Sequence, residues 1–148
     1  MSRNELHFAI KLMKTSNIKV TSQRIAVLEY LLNSKLHPTA DEIYKALEYR
    51  FPSISPATIY NNLRVLCDVG LVRELTYSHT SSRFDGNTTD HYHIMCDGCG
   101  QVMDFYYPIL EEVEAAAEQL TSFKVSHHRL EIYGECKACQ TLATTLDI

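Results

Sequence analysis

The sequence has no apolar run long enough to cross a bilayer and no apolar stretch behind its first residues. It also has no internal repeat and no low-complexity tract. The first absence argues against a spanning helix, which needs about 20 consecutive apolar residues. The second leads to the expectation of no secretory leader and a cytoplasmic location. The third argues against solenoid and fibrous architectures. Heme and flavin motifs are absent as well. Cysteine is sparse and odd in number: of five, four fall in two Cys-x-x-Cys pairs and Cys67 is left over. That usage fits metal binding in a reducing compartment better than a disulfide framework. Cys67 reads as a small buried hydrophobe.

Basic residues are scarce in one half only. Residues 86–148 hold three Lys and Arg against ten Asp and Glu, a net of −7. Residues 1–85 hold eleven against eight, a net of +3. The first half therefore suits phosphate and the second does not. What is present suffices for a packed core: 148 residues, 45% of them hydrophobic, make one domain or two small ones.

The first half reads as helices. Leu6, Ile10 and Met13 form a helical stripe, and Thr21 caps a second helix with Ile25, Leu28 and Leu32 inward. Thr39 and Glu42 form a capping box for a third, with Ile43 and Leu47 inward. Ser55 and Pro56 open a fourth, which buries Ile59, Leu63 and Leu66 and ends at Gly70. Residues 71–77 and 82–85 then read as two short strands. Helices followed by a hairpin match a winged helix-turn-helix whose recognition helix is 56–69. Its outward Thr58, Tyr60, Asn61 and Arg64 have the chemistry to meet phosphates and base edges. A plain helical bundle with a solvated polar face fits the same pattern.

Residues 86–91 read as a polar linker. Strands are expected at 92–96 and 101–106, a helix from Pro108 to Leu120, and a last strand from 123 to 133, interrupted between His127 and Leu130. This divides the chain into 1–85, a winged-helix domain, and 92–148, an α/β domain, an α+β architecture as a whole.

Two clusters carry chemistry. Cys96, Cys99, Cys136 and Cys139 can give one ion four thiolates in a tetrahedral shell, which suits a structural zinc. A thioredoxin-type redox pair is the alternative, although that motif usually occurs once. His91 and His93 alternate on a strand and so face one way. They read either as two ligands for one ion or as polar residues of an exposed face. Asp85 and Asp104 lie near enough in sequence to join them, whereas spacing alone does not bring in His37. His127 and His128 read as a strand pair at a surface or as part of an additional metal site. His7 and His79 read as surface residues.

Several stretches in order resemble the ferric uptake regulator superfamily. They are 20–24 (VTSQR), 37–44 (HPTADEIY), 57–63 (ATIYNNL), 90–93 (DHYH), the two Cys pairs and 128–134 (HRLEIYG). The resemblance covers about residues 5–140 and implies a homodimer of chains, each with a winged-helix DNA-binding domain and an α/β dimerisation domain. It implies one structural Zn2+ per subunit on the four cysteines. It also implies one regulatory Fe2+ or Mn2+ on His37, Asp85, His91, His93 and Asp104. Members of the superfamily that govern iron uptake tend to have Glu where this chain has Asp104, and peroxide sensors have Asp. The resemblance thus implies a repressor, not an enzyme, that binds a palindromic double-stranded DNA operator. It would release that operator when His37 or His91 is oxidised to 2-oxo-histidine. The alternative is an iron or manganese uptake regulator that responds only to reversible metal binding.

Overall fold

The computed structural model describes residues 3–77 and 80–146. His79, expected at the surface, lies outside the described residues, while His7 is exposed. The chain forms two compact units that divide between Thr88 and Thr89.

The first unit holds four helices and a hairpin: α1 Arg3–Thr15, α2 Ser22–Asn33, α3 Ala40–Leu47, α4 Pro56–Asp68, β1 Arg73–Leu75 and β2 Arg83–Asp85. Local chemistry starts the helices. The Thr21 hydroxyl accepts from Arg24 N at 3.2 Å. Thr39 and Glu42 exchange the two bonds of a capping box, Glu42 N to Thr39 Oγ1 at 3.2 Å and Thr39 N to Glu42 Oε2 at 2.7 Å. Ser55 caps α4 and Pro56 occupies its first turn. The helix stops where Gly70 turns left-handed (φ 75°), which lets Leu71 N return to Leu66 O at 2.9 Å.

The helices share one core, built on Met13, Val27, Leu28, Ile43, Ile59, Leu63 and Leu66, with Phe84 of the hairpin added. Burying each such side chain contributes about 1.5–3 kcal/mol. The buried face of α2 is Ala26, Val27, Leu28 and Leu31; Ile25 and Leu32, expected inward, only flank it. In α1 it is Ala9 and Met13 that are buried, with Leu6 and Ile10 at the margin. Ala9 in α1 and Ala26 and Val27 in α2 thus take buried positions that the larger Leu6, Ile10, Ile25 and Leu32 were expected to share. A polar tie adds to the packing of α2 on α4: Arg24 Nε donates to Oδ1 of the buried Asn62 at 3.1 Å, and Arg24 Nη1 donates to Lys19 O. β1 and β2 pair antiparallel, with Arg73 opposite Asp85, which completes a winged helix-turn-helix.

The second unit is a three-stranded sheet in the order β4-β3-β5, from β3 Tyr92–Cys96, β4 Val102–Phe105 and β5 Glu131–Gly134. β3 runs antiparallel to β4 and parallel to β5. The helix α5 Glu111–Thr121 ends at Ser122, whose φ of 59° is left-handed. A helix not foreseen in the sequence, α6 Lys137–Leu146, begins inside the second Cys pair. The expected strand over 123–133 is present only as β5, and α5 begins at Glu111 rather than at Pro108. Buried apolar side chains in this unit are few: Tyr92, Met95, Cys96 and Val102 among the described residues. No helix among the described residues is long and apolar enough to cross a membrane.

Candidate metal centres

The four paired cysteines converge. Cys96 Sγ lies 3.7 Å from Cys139 Sγ, and Cys99 Sγ lies 3.8 Å from Cys136 Sγ. All four sulfurs fall within 4.8 Å of one another. Zinc–sulfur bonds of about 2.3 Å give a tetrahedron edges of about 3.8 Å, so the spacing fits zinc. It is far from the roughly 2.05 Å of a disulfide, and the cysteines are free thiols. The fold brings the pairs together by register. Cys96 ends β3 opposite Gly134 of β5, and Asp97 N donates to Gly134 O at 2.8 Å.

Protonation makes the same case. Backbone N–H groups of Cys136 and Cys99 pull the Cys96 thiol from 9.0 down to about 6. Hydrogen bonds to Cys136 and then Cys96 push Cys139 from 9.0 up to about 12. Four thiolates this close would repel one another, and a zinc ion bound there would supply the compensating charge and displace the protons. Glycine at 98 leaves room for the sulfur, since a Cβ there would stand 2.9 Å from Cys139 Sγ.

The histidine and aspartate candidates form one cluster in each unit. In the first unit, His37 Nδ1 lies 3.6 Å from Asp85 Oδ1, with both side chains buried. His37 has a left-handed backbone (φ 44°), a conformation that costs a non-glycine residue about 1–3 kcal/mol. Its surroundings impose that turn: Arg83 Nη1 donates to His37 O at 3.1 Å and Phe84 N donates to Pro38 O at 3.0 Å. Asp85 is oriented by Asn87 N, which donates to its Oδ1 at 2.7 Å. Gly86 seats this corner on α2; a Cβ there would stand 3.1 Å from the Leu31 carbonyl carbon.

In the second unit, His93 on β3 sits directly opposite Asp104 on β4. Asp104 Oδ1 lies 3.1 Å from His91 Nε2 and 3.6 Å from His93 Nε2. Thr89 O is 2.7 Å from His91 Nδ1, which assigns the proton to Nδ1 and leaves Nε2 with a lone pair for a cation. Imidazole nitrogens beside a carboxylate make a donor set suited to Fe2+, Mn2+ and their neighbours.

His127 and His128 part company. His128 Nδ1 donates to Glu114 Oε1 at 2.8 Å, and its Nε2 accepts from Tyr92 Oη at 2.8 Å. Leu110 N in turn donates to Tyr92 Oη at 2.9 Å, so this chain ties α5 to the sheet. His127 is exposed and meets Ser126 Oγ. Of the α4 candidates, Tyr60, Asn61 and Arg64 are exposed, while Thr58 is half-buried and its hydroxyl meets Ser55 Oγ at 3.0 Å. Sequence reasoning missed Arg83 and Tyr106. Each lies two residues from a candidate ligand on the same strand line, and that alternation was the available signal.

A winged helix-turn-helix unit with a His/Asp pair, followed by a cysteine-clamped α/β unit with three further donors, defines a winged-helix metalloprotein. The chain belongs to the ferric uptake regulator family, whose sequence model matches residues 15–133. Among curated proteins it is 58% identical over 139 residues to the peroxide operon regulator of Bacillus subtilis, covering 94% of this chain and 96% of that protein. It is 56% identical over 137 residues to the peroxide-responsive repressor PerR of Staphylococcus epidermidis, covering 93% and 91%. Among solved structures it is similar to the Campylobacter jejuni peroxide stress regulator, with a TM-score of 0.69, 32% identity and coverage of 88% and 98%. The ferric uptake regulator of Helicobacter pylori shares the fold, with a TM-score of 0.79, 24% identity and coverage of 93% and 92%.

Proposed function

We propose that this chain is a metal-dependent, DNA-binding transcriptional repressor that senses hydrogen peroxide. One Fe2+ or Mn2+ per subunit would be held jointly by His37, Asp85, His91, His93 and Asp104. The observation that carries this reading is the triad in the second unit, where Asp104 Oδ1 faces both imidazole Nε2 atoms at 3.1 and 3.6 Å. The residue at that place is Asp, in a chain 58% identical to a peroxide operon regulator.

An Fe2+ ion held there would supply the electron that cleaves the O–O bond of peroxide, chemistry that Mn2+ performs far less readily; overall, one peroxide oxygen would go to an imidazole C–H and the other would leave as water. His37 and His91 would both hold the ion, so either imidazole would stand beside the oxidant where it forms and would be the group to gain the oxygen. Loss of a ligand then weakens the joint hold of the two units. The units carry different tasks: Tyr60, Asn61 and Arg64 on α4 reach DNA, while the second unit mediates pairing. Support for pairing is the exposed apolar surface there, including Ile94, Met103, Val113 and Phe123. In a homodimer the angle within each subunit sets the separation of two recognition helices. That separation must match half-sites one helical turn, or a multiple of it, apart on a palindromic operator. A hundredfold change in operator affinity requires about 2.7 kcal/mol of coupling, which one metal site supplies.

The test is a peroxide pulse on anaerobically Fe2+-loaded protein, with Mn2+-loaded protein as control. Binding is read on a palindromic DNA selected in vitro with the Mn2+ form. The Fe2+ form should lose DNA binding and gain about 16 Da, one oxygen, on a peptide containing His37 or His91. An Fe2+ form that keeps mass and affinity, yet binds DNA only when metal is present, is instead a reversible iron or manganese regulator.

A further inference from the structure

We infer that Tyr106 is a positioning residue that reserves one oxygen of Asp104, and so keeps a coordination position open for peroxide. The inference rests on the reading of Asp104 as a ligand of the regulatory ion. Asp104 presents its two oxygens to different partners. Oδ1 is the oxygen facing His91 and His93, at 3.1 and 3.6 Å. Oδ2 accepts a hydrogen bond from the Tyr106 hydroxyl at 2.9 Å. Tyr106 follows β4 by one residue and stands two residues from Asp104, so strand alternation sends both side chains the same way. Its ring also stacks on His91, with centroids 5.7 Å apart and an interplanar angle of 27°. The phenol is therefore held by one ligand while it bonds to another.

The consequence follows from carboxylate chemistry. A hard divalent cation takes a carboxylate through one oxygen or through both. Five protein ligands would leave one position of an octahedron open if Asp104 gave one oxygen, and none if it gave two. A phenol bonded to Oδ2 favours the first arrangement, because it takes one of that oxygen's two lone pairs and draws charge from it, which makes Oδ2 the poorer donor to a cation. Tyr106 would thus tune reactivity rather than affinity. It is a positioning residue and not a catalytic one, since its hydroxyl would act through Asp104.

Tyr106→Phe removes the hydroxyl and keeps the ring on His91. In Mn2+-loaded protein, water-proton relaxation reports how many waters the bound ion carries. Tyr106→Phe should lower this relaxation about twofold, while Mn2+ affinity stays within threefold of the parent or rises. In the Fe2+ form, the one-oxygen mass gain per peroxide pulse should slow about tenfold. Parent-like relaxation and oxidation rate in the variant would overturn the inference. So would a loss of Mn2+ affinity with the oxidation rate per bound Fe2+ unchanged, which would make the phenol a simple tether. Asp104→Ala separates the two levels of argument: if it binds Mn2+ as tightly as the parent, Asp104 is no ligand and both readings fall. If it loses Mn2+ while Tyr106→Phe behaves as the parent, only the role of Tyr106 fails.

Discussion

Removal of zinc should unfold the second unit and spare the first. Among the described residues, the second unit buries Tyr92, Met95 and Val102 as its full-sized apolar side chains. At about 1.5–3 kcal/mol apiece, these contribute about 5–9 kcal/mol. Zinc on four thiolates is worth about 10–16 kcal/mol in small metal-clamped domains at neutral pH. The ion therefore outweighs the apolar core it accompanies. It would also tie the knuckle at the end of β3 to the start of α6, where Cys96 Sγ lies 3.7 Å from Cys139 Sγ and accepts from Cys136 N at 3.2 Å. The first unit has no such dependence, because its core from Met13 to Phe84 includes none of the four cysteines. The assay is amide NMR on the full-length chain under reducing conditions, before and after a strong zinc chelator, with metal analysis to show the zinc gone. Signals from residues 89–148 should collapse to random-coil positions while those of the winged helix stay dispersed. Dispersed signals from both units in demonstrably zinc-free protein would refute the reasoning and shift the stabilising role to side-chain packing or dimer contacts.

Gly86→Ala should destabilise the first unit by about 1–3 kcal/mol, the usual cost of overpacking, because its Cβ would press on the Leu31 backbone at 3.1 Å. Urea denaturation of the variant measures it, and unchanged stability would mean that the corner beside Asp85 yields. Cys67 should resist alkylation at neutral pH, since burial first, then Glu74 and Asp68, raise its thiol from 9.0 to about 11. The unfolded chain ionises this thiol first as pH rises, so native stability should fall between pH 9.0 and about 11, and fall less in Cys67→Ala. Mass-resolved labelling and alkaline denaturation curves check both statements.

Legibility in the sequence followed the range of the interactions. The capping box of Thr39 and Glu42, the Ser55-Pro56 start and the Gly70 stop were readable because each closes within a few residues. The Cys-x-x-Cys spacing was readable because each knuckle is local and zinc demands four donors. Less was readable where packing decides. The true inward face of α2 is set by packing against α3, α4 and the hairpin, all of which lie outside its own stretch of sequence. The stretch from 123 to 130 alternates like a strand, yet only Glu131–Gly134 finds a partner in β3. α6 lay hidden because its first residues double as the metal knuckle.

By itself, then, the sequence determined which residues carry chemistry: four paired cysteines, a His-x-His strand, and carboxylates near it. Only the tertiary structure decided how they meet. The antiparallel register sets His93 against Asp104, and the Arg83 bond to a left-handed His37 turns that ring toward Asp85. It also decided which candidates are otherwise engaged, since His128 is held between Glu114 and Tyr92. The physical reason is that residue chemistry is a property of one position, whereas a ligand shell is a property of distances, and distances across strands and turns exist only once the chain has packed.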